Sequence, residues 1–248
     1  MITFKNYVRA ESLEEAYELN QKKNNVIVGG MMWLKMMDKN FGTAIDLSGL
    51  GLDTIEEDDE YFRIGAMVTL RQLELHEAFN AYTKSAAKHS VEHIVGVQFR
   101  NTATVGGSIY GRFGFSDVLT LFLALRAKVE LVGAGIVDLA DFTEMSRKDR
   151  DVLVRILVPK DTESVVYLSQ RNISTDFPVL AVAVAKTPEG CCYSVGARPH
   201  YAKIVTSKEP MSAEEVVNAF SFGSNTRASR EYRKKICEVL VKRAGEML

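Results

Sequence analysis

The residues best suited to hold a ligand lie between Gln98 and Leu131, in the run Q-F-R-N-T-A-T-V-G-G-S-I-Y-G-R-F-G-F-S-D-V-L-T-L-F-L-A-L-R-A-K-V-E-L. Arg100-Asn101 precede a Gly106-Gly107 pair flanked by Thr104 and Ser108. Gly111 and Gly114 follow in a second loop, and an apolar run opens at Ser116-Asp117. Paired glycines leave backbone N–H groups uncovered by side chains, so a phosphate or another anion can approach them closely. The same arrangement also suits a plain tight connection before a helix.

A second Gly-Gly pair stands near the start of the chain. Val26-Ile27-Val28 reads as a short β-branched strand that stops at Gly29-Gly30, and M-M-W-L-K-M-M-D after it reads as a helix. Strand, Gly-Gly, helix places backbone amides at a helix N-terminus, where the dipole also favours anions. A simple βα connection gives the same pattern. Met31, Met32, Met36 and Met37, with Trp33, suit either core packing or a cofactor surface, and core packing is the commoner use.

Other chemistries are poorly served. Gly133-Ala134-Gly135 after a strand mimics the start of a dinucleotide fingerprint, but no third glycine follows, and Val137-Asp138-Leu139 reads as a returning strand. There is no G-x-x-x-x-G-K-[ST]. Cys191, Cys192 and Cys237 have neither metal-ligand nor iron–sulfur spacing and read as buried, inert thiols. His89 and His93 are one turn apart without an evident third ligand. A net charge of −1 gives no general electrostatic case for nucleic acid or an anionic membrane. The N-terminal run lacks an apolar leader core, and no apolar stretch is long enough to span a bilayer, so the expected location is cytoplasmic.

The elements that must position these loops are legible as periodic segments. Capping boxes are expected at Ser12–Glu15, Thr69–Gln72 and Ser212–Glu215. Strands are expected at 43–47, 62–66, 129–132 and 152–158, and a helix at 85–94. The acidic run 56–60 reads as a solvated loop or hairpin. Residues 160–164 form the best linker candidate. Apolar runs at 165–169, 179–185 and 191–195 suit strands or, for the alanine-rich one, a buried helix. A last helix from about Ser229 is expected to turn Ile236, Leu240 and Met247 inward. Arg230, Arg233, Lys234, Lys235, Lys242 and Arg243 are then mostly outward.

Taken in order, four motifs resemble a known family, the FAD-binding (medium) subunit of the molybdenum hydroxylases such as xanthine dehydrogenase and aerobic carbon monoxide dehydrogenase. They are V-I-V-G-G at 26–30, I-D-L-S at 45–48 followed by R-I-G-A-M-V-T-L at 63–70, R-N-T-A-T-V-G-G-S-I at 100–109 with Ser116-Asp117, and G-A-R-P at 196–199 with R-A-S-R-E-Y-R at 227–233. The resemblance spans nearly the whole chain. It implies an α+β fold: an FAD-binding domain of two α/β subdomains (vanillyl-alcohol-oxidase/PCMH-like), at residues 1–60 and 61–160. A small-sheet-plus-helices C-terminal domain follows at 161–248.

The resemblance further implies that Val28, Gly29, Gly30, Met31 and Trp33 line the first FAD loop. Thr104, Gly106, Gly107, Ser108, Tyr110 and Gly111 would line the second, with backbone amides of both loops on the pyrophosphate. Asp117 would accept sugar-type hydroxyls of the flavin, although a carboxylate at a helix start also complements the dipole. No acid/base catalytic residue and no metal ligand is implied. The implied role is an oxidoreductase subunit, not active alone on the organic substrate. It would pass electrons from iron–sulfur clusters through FAD to NAD or another acceptor. Its partners would be a molybdenum-cofactor large subunit and a [2Fe-2S] small subunit. The alternative is a flavin-free scaffold or assembly subunit of the same family. This chain departs from the family pattern at Met31-Met32, where polar residues are usual, at Ser108 for asparagine, and at Arg112–Phe115. A lysine common near the start of the C-terminal domain is not evident at 166–171.

Overall fold

A computed structural model describes all of residues 1–248 and shows three sheets in chain order. The first is parallel, with β1 (Thr3–Arg9) and β2 (Val26–Val28) on either side of β3 (Asn40–Asp46). The second is antiparallel and contains β4 (Ile55–Glu57), β5 (Tyr61–Gly65), β6 (Lys128–Leu131), β7 (Gly135–Asp138) and β8 (Leu153–Pro159), in the order β4-β5-β8-β6-β7. The third is an antiparallel meander of β9 (Ser164–Arg171), β10 (Pro178–Thr187), β11 (Gly190–Gly196) and β12 (Lys203–Ser207). The acidic run 56–60 covers the end of β4 and the turn into β5, and Gly133–Gly135 the turn into β7, both hairpins as expected. No helix is long and apolar enough to cross a membrane.

The ambiguous alanine-rich run is a strand buried on both faces. Along β10, Ala181, Ala183 and Ala185 enter the large core, while Leu180, Val182 and Val184 enter a second one. This period of two puts small residues toward the apolar helix Asp117–Ala124 and large ones toward helices Ala213–Ala219 and Arg230–Met247. The helix lies so close that a Cβ on Gly196 would come within 2.1 Å of Thr120 Oγ1. A long apolar run without alternation is what a strand covered on both sides requires.

Several expectations need correction. The stretch 31–38 is not a helix but a loop with one 3₁₀ turn, Leu34–Met36. Met31 lies in the left-handed region (φ 56°), which starts no helix, and Met36 is 73% exposed, outside any core. The helix expected at 85–94 spans only Ala86–Val91. Glu15 returns its side chain to the Glu11 N–H and not to Ser12, so the first box is incomplete, while Thr69 and Ser212 form full boxes. Residues 160–164 are a pinned turn, not a slack linker: the Tyr82 hydroxyl donates to the Pro159 carbonyl and accepts from the Thr162 N–H.

The last helix holds the largest surprise. Arg233, expected outside, is 1% exposed, and Met247, expected inside, is 64% exposed. The Arg233 guanidinium donates to the carbonyls of Val179, Gly223 and Ala228 and to Asn225 Oδ1, at 2.7–3.0 Å. Carbonyl dipoles satisfy this cation without a carboxylate, so charge pattern alone could not place it. Arg198 does similar work nearby, donating to Ser221 and Tyr201 carbonyls. The three cysteines are buried.

Replacing Arg233 by Met would leave the buried Val179 carbonyl and the partly buried Gly223 and Ala228 carbonyls without this donor. The expected loss is roughly 2–4 kcal/mol by denaturant unfolding, against roughly 0.5 kcal/mol or less for Met at exposed Lys234.

Candidate functional site

The sheets meet around one cleft with a volume of about 730 Å³. Gly29, Gly30, Met31, Trp33, Thr104, Gly106, Gly107, Ser108, Tyr110, Gly111 and Asp117 all line it. Val28 does not: it ends β2 behind the loop and is buried in the sheet.

The two Gly-Gly loops touch backbone to backbone. A Cβ on Gly30 would stand 1.9 Å from the Thr102 carbonyl oxygen, and one on Gly29 3.0 Å from Thr104 Oγ1. Their amides, however, are in different states. The Gly106 N–H donates to the Ala66 carbonyl (3.0 Å) and the Gly107 N–H to Thr104 Oγ1 (3.1 Å). Gly106 lets helix Val105–Tyr110 pack against the end of β5, since a Cβ there would meet the Ala66 oxygen at 2.5 Å, whereas Gly107 is exposed. In the first loop, the N–H groups of Gly29, Gly30, Met31, Met32 and Trp33 have no acceptor within the protein. Successive backbone donors around a left-handed residue are a common way to build an anion site. The two loops therefore differ from the expectation of free amides in both: the first leaves its N–H groups without protein acceptors, and Gly106 and Gly107 of the second bond theirs internally.

The second loop is anchored from below. Arg100, buried, donates through Nε and Nη2 to the two carboxylate oxygens of buried Glu74, at 2.7 and 3.2 Å, and through Nη1 to the Ile94 carbonyl. Burial pushes the Glu74 carboxyl up, but the bonds and charges of Arg100 and Arg71 outweigh it and hold it below its ordinary value.

Asp117, also in the cleft lining, opens its helix, with Ser116 as the N-cap. Two donors from β9 converge on its Oδ1: the Tyr167 hydroxyl and Arg171 Nη2, the latter at 2.6 Å. Burial pushes the Asp117 carboxyl up, against the pull of the Arg171 charge. Burial and the neighbouring carboxylate push the Tyr167 phenol well above its ordinary value, so it acts as a donor at neutral pH.

Sequence reading missed most of the remaining lining. Phe99, Phe113, Phe115 and Phe177 gather around Trp33, with ring centroids 5.3–6.4 Å from it. Arg147, Asp149 and Arg150 form a strap on the opposite wall. Arg150 ties it to the first sheet by donating to the Asn20 and Asn25 carbonyls. The departures at Met31-Met32 and 112–115 were the available signal for this apolar wall; Arg171 lies in the segment 166–171 where a family lysine was expected, and Phe177 had no signal.

Because Glu74 is held below its ordinary value when folded, its contribution is complete above the unfolded value of about 4.5 and lost as pH falls through the folded one. Glu74→Gln should cost about 3 kcal/mol at neutral pH. The gap from the unchanged protein should close in acid, as followed by unfolding at a series of pH values.

Comparison with known proteins agrees with this geometry. Residues 2–161 match the family described as the FAD binding domain in molybdopterin dehydrogenase. The nicotine 6-hydroxylase medium subunit of Paenarthrobacter nicotinovorans is 30% identical over 137 residues, 50% of this chain and 46% of that one. Aldehyde oxidase 4 of Arabidopsis thaliana is 30% identical over 105 residues, 40% of this chain and 8% of the other. The chain thus spans less than half the length of either relative. YgfM of Escherichia coli K12, an uncharacterized protein, is 25% identical over 246 residues, covering 95% of this chain and 93% of its own. Among solved structures, carbon monoxide dehydrogenase from Hydrogenophaga pseudoflava superimposes with a TM-score of 0.84 at 21% identity, over 97% of this chain and 96% of that one. That likeness shows the α+β fold. With the match covering residues 2–161 and an amide-lined cleft between two sheets, the chain belongs to the FAD-binding domains of the molybdopterin dehydrogenases.

Proposed function

We propose that this chain is the flavin-carrying, electron-transferring subunit of a xanthine dehydrogenase-like molybdenum hydroxylase assembly. Its partners in this reading are a molybdenum-cofactor large subunit and a [2Fe-2S] small subunit. Electrons arrive from the iron–sulfur clusters and leave to NAD or another acceptor, and the chain alone does not act on the organic substrate. The observation that carries the reading is the row of five N–H groups at Gly29–Trp33 without protein acceptors, on residues that line a cleft of about 730 Å³, a volume typical of cofactor sites.

The residues present fit FAD. The first-loop amides suit a diphosphate, whose negative oxygens need several donors at once. Thr104 Oγ1 and the Ser108 hydroxyl stand beside them on the second loop. Asp117 Oδ1 is taken by Tyr167 and Arg171, which leaves Oδ2 as the acceptor for a sugar-type hydroxyl. Trp33 and its surrounding phenylalanines keep water from the ring end of the cleft. FAD supplies the means to take electrons singly and release them in pairs, and the protein contributes binding, orientation and shielding. No side-chain proton donor is required for that task.

Purified protein is expected to be yellow and to release FAD on denaturation. Colourless protein that takes up no added FAD would sink the reading and favour the flavin-free scaffold. Gly30→Ala places a methyl group against the Thr102 carbonyl and should weaken FAD binding roughly tenfold or more, whereas Gly29→Ala, facing a movable hydroxyl, should cost less. Flavin fluorescence titration of the flavin-stripped protein measures both.

A further inference from the structure

One side chain holds two walls of the cleft. Arg171, at the end of β9, has a side chain that is 7% exposed. Its Nη2 donates to Asp117 Oδ1 at 2.6 Å, its Nη1 to the Asp176 carbonyl at 2.5 Å, and its Nε to Ser169 Oγ at 3.3 Å. Asp117 belongs to the helix that opens at the cleft, while Asp176 lies in the loop 172–177 joining β9 to β10. That loop delivers Phe177 into the cleft, with its ring centroid 4.1 Å from Phe115 and 5.4 Å from Trp33. On the far side the Arg227 guanidinium sits 4.8 Å from the Phe177 ring and pairs with the Asp176 carboxylate at 3.3 Å.

We propose that Arg171 is a positioning residue of the flavin site, setting through one guanidinium both the carboxylate that receives a ligand hydroxyl and the loop that lays Phe177 across the cleft. The proposal rests on the reading of the cleft as the FAD site. Arg171 itself need not touch the cofactor. Its planar fork offers donors in fixed directions, so the helix start and the loop are locked in one mutual arrangement. A lysine has one ammonium and can serve one partner well but not both at these angles. Without a cation at 171, Asp117 is a buried carboxylate with a single neutral donor, and taking up a proton would turn an acceptor into a donor. The loop would meanwhile lose its tie to β9 and keep its contacts with Arg227 and His93.

Location makes the proposal selective. In that reading the diphosphate takes the first-loop amides, with which Arg171 makes no hydrogen bond, and a sugar-type hydroxyl on the flavin side, which ADP lacks, takes Asp117. Full-length, flavin-stripped protein is therefore titrated with FAD and, separately, with ADP, for the unchanged chain, Arg171→Met, Arg171→Lys and Asp117→Asn. Arg171→Met is expected to weaken FAD roughly tenfold or more while ADP affinity stays within about twofold. Arg171→Lys should fall between. The visible circular dichroism of bound flavin should change in Arg171→Met, reporting a differently seated ring.

Equal losses for FAD and ADP would mark Arg171 as merely structural and overturn the proposal. So would unchanged FAD affinity and spectrum in Arg171→Met when Asp117→Asn does weaken FAD. If the unchanged chain binds neither ligand, the reading of the cleft fails first. Should Arg171→Met not fold, Arg171→Gln, which keeps a donor without the charge, carries the same comparison.

Discussion

The site depends on a place where two backbones meet without a side chain between them. At Gly30 the chain leaving the parallel sheet passes so near the Thr102 carbonyl that no Cβ fits. A second such approach, Gly106 on Ala66, seats the following helix against β5. Between them Thr104 caps that helix and abuts Gly29. The first two sheets, which share a small core of Ile45, Leu47, Val152 and Val154, are thereby held together, and the first loop with its unpaired amides lines the cleft. The buried Arg100–Glu74 pair fixes the depth of the second loop, because a bidentate guanidinium–carboxylate contact permits little sliding.

How much of this was legible in the sequence varied with the kind of signal. Hairpins at 56–60 and 133–135, the strands around them and two complete capping boxes follow from local chemistry, and local chemistry decided them. The 31–38 loop was misread because its apolar residues have a helix-like spacing, while a left-handed Met31 and the clash at Gly30 are set by tertiary contact. Arg233 was misread because a cation satisfied by carbonyls leaves no partner carboxylate in the pattern. Gly-Gly pairs were correctly placed at the cleft, yet only the structure shows that one pair frees its amides and the other spends them internally. Phe177 could not be found at all from local pattern, and Arg171 only as part of the segment where a family lysine was expected, since they reach the cleft from about fifty residues downstream of Asp117.

The C-terminal sheet is more than an appendage. Its alanine face allows the Asp117–Ala124 helix to lie nearly against the backbone of β10 and β11. That closeness is what lets Tyr167 and Arg171 reach a carboxylate at the helix start. The family match ends at residue 161, but the cleft continues to Phe177. A boundary drawn by sequence similarity therefore cuts through the binding unit.

The buried cysteines matter in a protein of an FAD-binding family. The thiolate, not the thiol, is the form attacked by oxidants and alkylating agents. Burial pushes the Cys237 thiol up to about 12 even with Arg198 near enough to oppose it, and raises Cys192 as well. Neither side chain lines the cleft. Sulfur that stays protonated and walled off is chemically silent toward peroxide, the ordinary by-product when a reduced flavin meets dioxygen. The fold thus keeps these two thiols protonated and away from the cleft in which a flavin would react.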